Sequence, residues 1–234
     1  GRGGTASAGA AGRRRRRVKL AVVVQRYGAD INGGAELHAR YVAERLSRHA
    51  EVEVVTTCAR DYVTWRNEWP AGVEEINGVR VRRFPVRRER DPLRFGRLSQ
   101  RVFEHRHSVA DELAWLTSEG PDSPALVDYL AAAAPSLDFA LLFSYRYYHA
   151  WHGARRLPGK AILVPTAERD PAIALSIFAP YTAEDMWARL GFGVAPSALG
   201  SGGGTGGDRG DLVAFAGWRK ADPLLLVEDS VTAV

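Results

Sequence analysis

Lys19-Leu20-Ala21-Val22-Val23-Val24 is a lysine followed by five consecutive apolar residues, and it lies between an arginine-rich segment and a polar turn. Such a run is typical of a strand buried on both faces, as in a parallel sheet. Asn32 stands in an N-cap position before a stretch with apolar residues at helical spacing, namely Ala35, Ala39, Val42, Ala43 and Leu46. A second apolar strand follows at residues 52–57. The sequence therefore predicts a βαβ unit with parallel strands.

The pattern of alternating strands and helices continues along the chain. Asn77-Gly78 lies inside residues 73–86 and predicts a hairpin, because this dipeptide accepts the positive φ angles of a tight turn. The other predicted helices are residues 94–116, 124–133 and 147–157, and the other strands are residues 139–143 and 161–164. We expect an α/β fold with a doubly wound, mostly parallel, Rossmann-like sheet.

Composition divides the chain into four segments. Residues 1–17 are rich in Gly, Ala and Arg and are predicted to be a disordered tail, and residues 18–190 form the α/β domain. Residues 191–210 have the composition of a Gly-rich linker. Residues 211–234 resemble the start of a truncated second α/β domain, with a strand at residues 212–216.

Charge and cysteine content restrict the functional classes. Six arginines in residues 1–17 carry more than the whole net charge of +5, so the remaining chain is near neutral and we expect no nucleic-acid partner. The single cysteine, Cys58, excludes an intramolecular disulfide and favours a cytoplasmic location. No apolar run is long enough to span a bilayer, and contact with a membrane surface finds no support in the sequence.

The junction between the first strand and the first helix carries two glycines, Gly33 and Gly34. Glycine permits a close approach to the backbone, and the N–H groups at a helix N-terminus attract an anion such as a diphosphate. The same glycines also fit a purely structural role in helix-sheet packing. Spacing alone does not decide between the two interpretations.

Several runs, in order, resemble one known family. They are Val23 to Gly28 with Gly33 to His38, the hairpin region 73–86, Phe143-Ser144-Tyr145, and Leu163 to Pro171. Together they resemble the N-terminal half of retaining GT-B glycosyltransferases of the glycogen-synthase-like, glycosyltransferase group 1 kind, over residues 18–180. The resemblance implies transfer of a sugar from a nucleoside-diphosphate sugar to a hydroxyl acceptor, either a sugar or a lipid-linked sugar, without a metal or other cofactor.

This resemblance also implies site residues. Glu168 stands where the family has a histidine near the donor sugar, and it is the expected catalytic residue. The expected substrate-binding residues are Gly33, Gly34, His38, Tyr145, Thr166, Arg169, Asp170, Arg219 and Lys220. The last two resemble the start of the family's phosphate-binding stretch in its second domain.

Two rival functions remain. Because little of a second domain follows residue 211, we expect this chain to transfer no sugar by itself, and a non-catalytic nucleotide or sugar-phosphate binding module is the alternative. A nicotinamide-dependent oxidoreductase is disfavoured, because the second strand ends at Thr56-Thr57 with no acid to bind a ribose.

Overall fold

A computed structural model describes residues 16–166 and 170–181, together with the backbone of residues 215 and 216. The strands are β1 (Lys19–Val23), β2 (Glu51–Thr57), β3 (Gly72–Ile76), β4 (Val79–Phe84), β5 (Phe139–Phe143), β6 (Ala161–Val164) and β7 (Phe215–Ala216). The helices are α1 (Gly34–Leu46), α2 (Pro92–Glu104), α3 (Val109–Glu119), α4 (Pro124–Ala133) and α5 (Tyr148–Arg156). Two 3₁₀ segments follow, Pro171–Ala174 and Ser176–Tyr181.

All seven strands belong to one sheet in the order β3-β4-β2-β1-β5-β6-β7. The five central strands, β4 to β6 in this order, are parallel, whereas β3 and β7 pair antiparallel at the two edges. Strand order reverses direction between β1 and β5, which is the feature of a doubly wound sheet. The predicted α/β fold class is confirmed.

The sheet is buried on both faces because its central strands are apolar on both sides. One face packs Val22, Val24 and Val54 against Ala39 and Ala43 of α1. The other face packs the alternate strand residues against α3, α4 and α5, with Trp115, Leu126 and Leu130 at less than 1% exposure. Because helices cover both faces of the sheet, β1 and β5 have runs of consecutive apolar residues and not an alternation of apolar and polar ones.

The predicted hairpin is present, and its turn residues have the expected geometry. Asn77 and Gly78 have φ angles of 51° and 76° between β3 and β4. These positive values favour the Asn-Gly dipeptide, since other side chains clash in this region.

Two details of the predicted helices are wrong. The N-cap of α1 is Gly33 and not Asn32, and no side chain caps that end. The single helix predicted for residues 94–116 is two helices, because His105 is extended and ends α2. Ser108 and Asp111 then form a reciprocal capping box that starts α3.

Most of the predicted outer segments lie outside the described residues. This applies to the tail up to residue 15, the linker at residues 191–210 and nearly all of residues 211–234. The described backbone of Phe215–Ala216 pairs with β6 in the same sheet. A second domain therefore stays a prediction. Among the described residues, no helix is both long and apolar enough to cross a membrane.

Candidate functional site

The loops that follow the parallel strands meet at one edge of the sheet. Because β1, β4, β5 and β6 all run in the same direction, the segments after their carboxyl ends lie side by side. Ligands of doubly wound sheets bind at this edge. It holds the predicted residues Gly33, Tyr145, Thr166 and Asp170, and the structure shows how they are arranged.

Gly33 and Gly34 open α1, but the start of this helix already has an acidic neighbour. The Glu36 carboxylate folds back over Gly33, so that a Cβ atom at Gly33 would overlap it. Arg26 donates to Glu36 Oε1 from Nε at 2.9 Å and from Nη2 at 2.6 Å. The positive end of the helix dipole is thus offset by the chain's own carboxylate. Gly34 is exposed, and its added Cβ would meet nothing within 4 Å.

His38 is half-buried on α1 and faces the core. Its ring lies edge-on to the Phe143 ring, with the centroids 5.3 Å apart. This contact explains the position of the side chain by packing. A ligand-binding role for His38 stays a prediction.

Ser144 and Thr166 directly follow β5 and β6 and lie in contact. Their φ angles are 64° and 43°, a left-handed conformation that is costly for residues other than glycine. The two hydroxyl oxygens are 2.7 Å apart and share a hydrogen bond. Strained backbone positions occur at functional sites, and these two lie side by side at the carboxyl edge of the sheet.

Asp170 is held by two residues from the loop after β5. Tyr145 Oη donates to Asp170 Oδ2 at 3.2 Å, and Arg146 Nη1 pairs with the same oxygen. Arg146 also lies beside the last residue of α3, with Nε 2.8 Å from Glu119 Oε1. Arg90, in the loop after β4, approaches the other Glu119 oxygen at 3.6 Å. Four charged side chains therefore connect three strand ends.

This charged network is mostly removed from water. The Glu119 side chain is 3% exposed and that of Arg90 is 8% exposed. Burial raises the pKa of Glu119, and the charges of Arg146 and Arg90 oppose that rise. Burial alone would lower the pKa of Arg146, but Glu119 and Asp170 outweigh it and the pKa rises. Burial and the Asp170 charge also raise the pKa of Tyr145. The tyrosine therefore stays protonated near neutral pH and acts as a hydrogen-bond donor.

Four predicted site residues lie outside the described residues. They are the expected catalytic residue and three of the expected binding residues: Glu168, Arg169, Arg219 and Lys220. Of the predicted residues that are described, Tyr145 and Asp170 are joined directly, and Thr166 follows the neighbouring strand. The ligand-binding roles of all these residues stay predictions.

Sequence reasoning missed Arg90 and Glu119. Arg90 lies just before α2, and Glu119 is the last residue of α3. These two helices come between β4 and α4, where the regular alternation of one strand and one helix is interrupted. The available signal was the Arg-rich composition of residues 80–106, which contains ten arginines and three acidic residues.

A cavity of about 190 Å³ lies between the loop after β4 and the C-terminal half of α3. Its wall contains three arginines, Arg88, Arg90 and Arg94, and three acidic residues, Glu89, Asp91 and Asp122. Thr117 and Ser118 add hydroxyl groups from α3. The side chains of Arg88 and Arg94 are exposed and make no hydrogen bond or ion pair with any residue that the structure describes.

Helix α2 places a row of arginines beside its buried stripe. Phe95, Leu98 and Val102 pack into the core next to Trp115. Arg94, Arg97 and Arg101 stand one position earlier at the same spacing, and all three are exposed. We call these three residues the α2 arginine row. Of these three side chains, only that of Arg101 forms an ion pair with a residue in the described part of the chain, Asp111 at 3.7 Å.

Comparison with known proteins identifies relatives of one kind. No family model matches the chain, and no solved structure matches it. The chain is 56% identical over 63 residues to a leucine–tRNA ligase of Clavibacter sepedonicus and 48% identical over 62 residues to that of Leifsonia xyli subsp. xyli. The leucine–tRNA ligase of Nocardioides sp. is 42% identical over 71 residues. The matches take in 26 to 30% of this chain and only 5 or 6% of each ligase.

These relatives overturn the functional part of the sequence-based interpretation. The expected membership of the GT-B glycosyltransferases is contradicted, because the matched proteins are named as ligases that act on tRNA. Sugar transfer, the sugar-nucleotide donor and the hydroxyl acceptor are contradicted by the same finding, and the alternative nucleotide-binding module gains no support from it. The expected absence of a nucleic-acid partner is contradicted by the same names, since the matched proteins are named as ligases of tRNA.

Proposed function

We propose that this chain binds tRNA and that its described α/β domain contacts RNA phosphates through the α2 arginine row. The observation that carries the proposal is the stretch of 62 to 71 residues shared with leucine–tRNA ligases at 42 to 56% identity. Because the shared stretch is so small a part of those enzymes, the proposal is confined to contact with tRNA and includes no ligation chemistry.

Local charge supports an RNA-contacting role. Phosphate contacts supply most of the affinity of non-specific nucleic-acid binding, and arginine is well suited to them because its guanidinium donates two parallel hydrogen bonds. Arg94 and Arg97 are exposed, and neither has an ion-pair partner within the described residues. A cation that is not paired within the protein is free to displace counterions from a phosphate chain.

Packing supports the same surface. The apolar residues of α2 fix this helix against Trp115, so the arginines project from a rigid element and not from a mobile loop. A rigid row of cations loses less conformational entropy on binding than cations on a flexible segment. The helix also has its own N-cap, since the Asp91 carboxylate accepts hydrogen bonds from Leu93 N at 2.9 Å and Arg94 N at 3.1 Å.

The proposal also includes a cytoplasmic location. Cys58 is a free thiol at 2% exposure, which suits a reducing compartment.

Binding of a labelled leucine tRNA transcript, followed by fluorescence anisotropy, tests the proposal. We expect saturable binding that is tighter than binding of a DNA hairpin of equal length at the same ionic strength. Equal affinity for the tRNA and the DNA hairpin would show that binding depends only on the charge of the nucleic acid. Absence of binding to the tRNA would contradict the proposal.

A further inference from the structure

We propose that the cavity between Arg88, Arg90 and Arg94 is a phosphate-binding subsite, which in this chain receives a phosphate group of bound RNA. Phosphate binding is argued from the cavity alone. Only the identification of RNA as the source of the phosphate rests on the proposed function.

The acidic residues of the cavity wall are already engaged. Arg87 donates to both oxygens of Asp122, with distances of 3.0 and 3.1 Å. Asp91 accepts the two backbone hydrogen bonds that cap α2. Glu89 lies 3.9 Å from the guanidinium of Arg66. Each carboxylate therefore has a cationic or backbone N–H partner other than the guanidinium groups of the three cavity arginines.

The three arginines are not neutralised to the same extent. The side chains of Arg88 and Arg94 have no hydrogen-bonding or ionic partner in the part of the chain that the structure describes. Arg90 approaches Glu119 at 3.6 Å, but Glu119 is also paired with Arg146 at 2.8 Å. Arg146 is paired in turn with Asp170, so these four charges balance, and the unpaired positive charge at the cavity is that of the Arg88 and Arg94 side chains.

Arg90 is the fixed donor of the proposed subsite. Its guanidinium lies over the rings of Trp65 and Phe95, 4.8 and 4.7 Å from their centroids, and Nη2 donates to Tyr62 O at 3.2 Å. The side chain is 8% exposed, yet its Nε is buried without a hydrogen-bond partner among the described residues. A buried charged donor without an acceptor is costly, so Arg90 is incompletely paired within the described residues, and its Nε–H resonance reports on negative charge that enters the adjoining cavity.

The size and the remaining groups fit a phosphate. A volume of about 190 Å³ equals that of roughly six water molecules, which is enough for one phosphate group and a few waters. The Thr117 hydroxyl donates its one proton to Leu113 O at 2.8 Å, so the donors available to a phosphate at this wall are the arginines. Arginine prefers phosphate because its planar fork matches two oxygens at once.

Inorganic phosphate is the first probe, titrated into the intact chain while the arginine Nε–H resonances are followed by NMR. We expect a saturable shift of the Arg90 Nε–H signal, and sodium chloride at equal ionic strength serves as the control. The double variant Arg88→Gln/Arg94→Gln should weaken phosphate binding by roughly tenfold or more, through loss of two charge-assisted hydrogen bonds. The matched control Arg48→Gln/Arg156→Gln removes the same charge elsewhere and should change the affinity less than about twofold.

The outcomes separate the subsite from the proposed function. The absence of a phosphate-dependent shift, or equal weakening in both double variants, overturns the subsite. Displacement of bound phosphate by leucine tRNA supports RNA as its source. If the tRNA binds without displacing phosphate, the assignment to RNA is overturned, and displacement by adenosine monophosphate alone then identifies a small phosphate ester as the ligand. Phosphate binding in a chain that fails to bind tRNA contradicts the proposed function and leaves the subsite in place.

Discussion

Arg26 donates two hydrogen bonds to Glu36 Oε1, at 2.9 and 2.6 Å, directly over the N-terminal residue that caps α1. The two side chains are 13% and 5% exposed, so the pair is largely removed from water. Replacing Arg26 with Ala leaves Glu36 buried without its cation, and we expect the free energy of unfolding to fall by roughly 3 kcal/mol. Urea denaturation monitored by circular dichroism measures this loss.

The control for that variant is an exposed ion pair. Glu51 lies 3.4 Å from Lys19 and its side chain is 63% exposed. Glu51→Ala should therefore cost less than about 1 kcal/mol. Equal losses in the two variants would show that Arg26 and Glu36 are paired in water and not in the protein interior.

A buried histidine should make stability depend on pH. Burial lowers the pKa of His149 to about 4, against an ordinary value of 6.5. Below pH 6.5 the unfolded chain binds a proton that the folded protein does not bind until about pH 4. The free energy of unfolding therefore falls as the pH is lowered through this window, by roughly 2 kcal/mol between pH 6.5 and pH 5.

Comparison with His149→Gln isolates this contribution. Burial, with the charges of Arg155 and Arg156, also lowers the pKa of His152 to about 4, so both proteins should carry His152→Gln. We expect a shallower loss of stability between pH 7 and pH 5 in the His149→Gln protein, measured by urea denaturation at each pH. Parallel pH profiles would contradict a neutral, buried His149.

The strands could be predicted from the sequence because consecutive apolar residues indicate a segment that is buried on both faces. The run from residue 20 to residue 24 and the strand at residues 139–143 are apolar on both faces, and the structure packs both faces in hydrophobic clusters. The break between α2 and α3 was missed because its clearest signal is one capping box, Ser108 with Asp111, inside a stretch predicted to be a single helix.

The site was less predictable for a different reason. Arg90, Glu119, Arg146 and Asp170 belong to four separate loops or helix ends, and only the sheet topology brings them together. The sequence did place Tyr145 and Asp170 at the same edge, since both follow the carboxyl ends of parallel strands. It did not reveal the cavity arginines, because net charge averages a basic segment with the acidic residues of the other segments.

Two glycines should respond oppositely to alanine. Gly120 has a φ angle of 72°, and an added Cβ would lie 3.1 Å from Asp122 N and from the Trp65 indole. We expect Gly120→Ala to cost about 1–3 kcal/mol, because both the backbone and the neighbours oppose it. Gly96 lies inside α2 with open space around its Cβ position, so Gly96→Ala should stabilise the protein by about 0.5–1 kcal/mol. Thermal denaturation measures the change in melting temperature of each variant. A change of the same sign in both variants would contradict the opposite effects that we expect.

Glu112 attaches the segment after β6 to α3. Its carboxylate accepts hydrogen bonds from Ser176 Oγ at 2.8 Å and from Ile177 N at 2.9 Å, and its residue is 3% exposed. Glu112→Ala should remove both bonds and speed amide hydrogen exchange at Ile177. Ser176→Ala removes only the side-chain bond and should leave exchange at Ile177 close to that of the parent chain. Unchanged protection in Glu112→Ala would show that packing alone holds this segment.

The salt dependence of tRNA binding tests the central proposal most directly. Removing two phosphate contacts lowers the magnitude of the slope of log Kobs against log salt concentration by roughly 1.4 to 1.8. We predict that decrease for Arg94→Gln/Arg97→Gln with leucine tRNA and an unchanged slope for the control Arg48→Gln/Arg156→Gln. A slope that is equal in the two double variants, or a parent chain that does not bind the tRNA, would contradict the role of the α2 arginine row in contacting RNA.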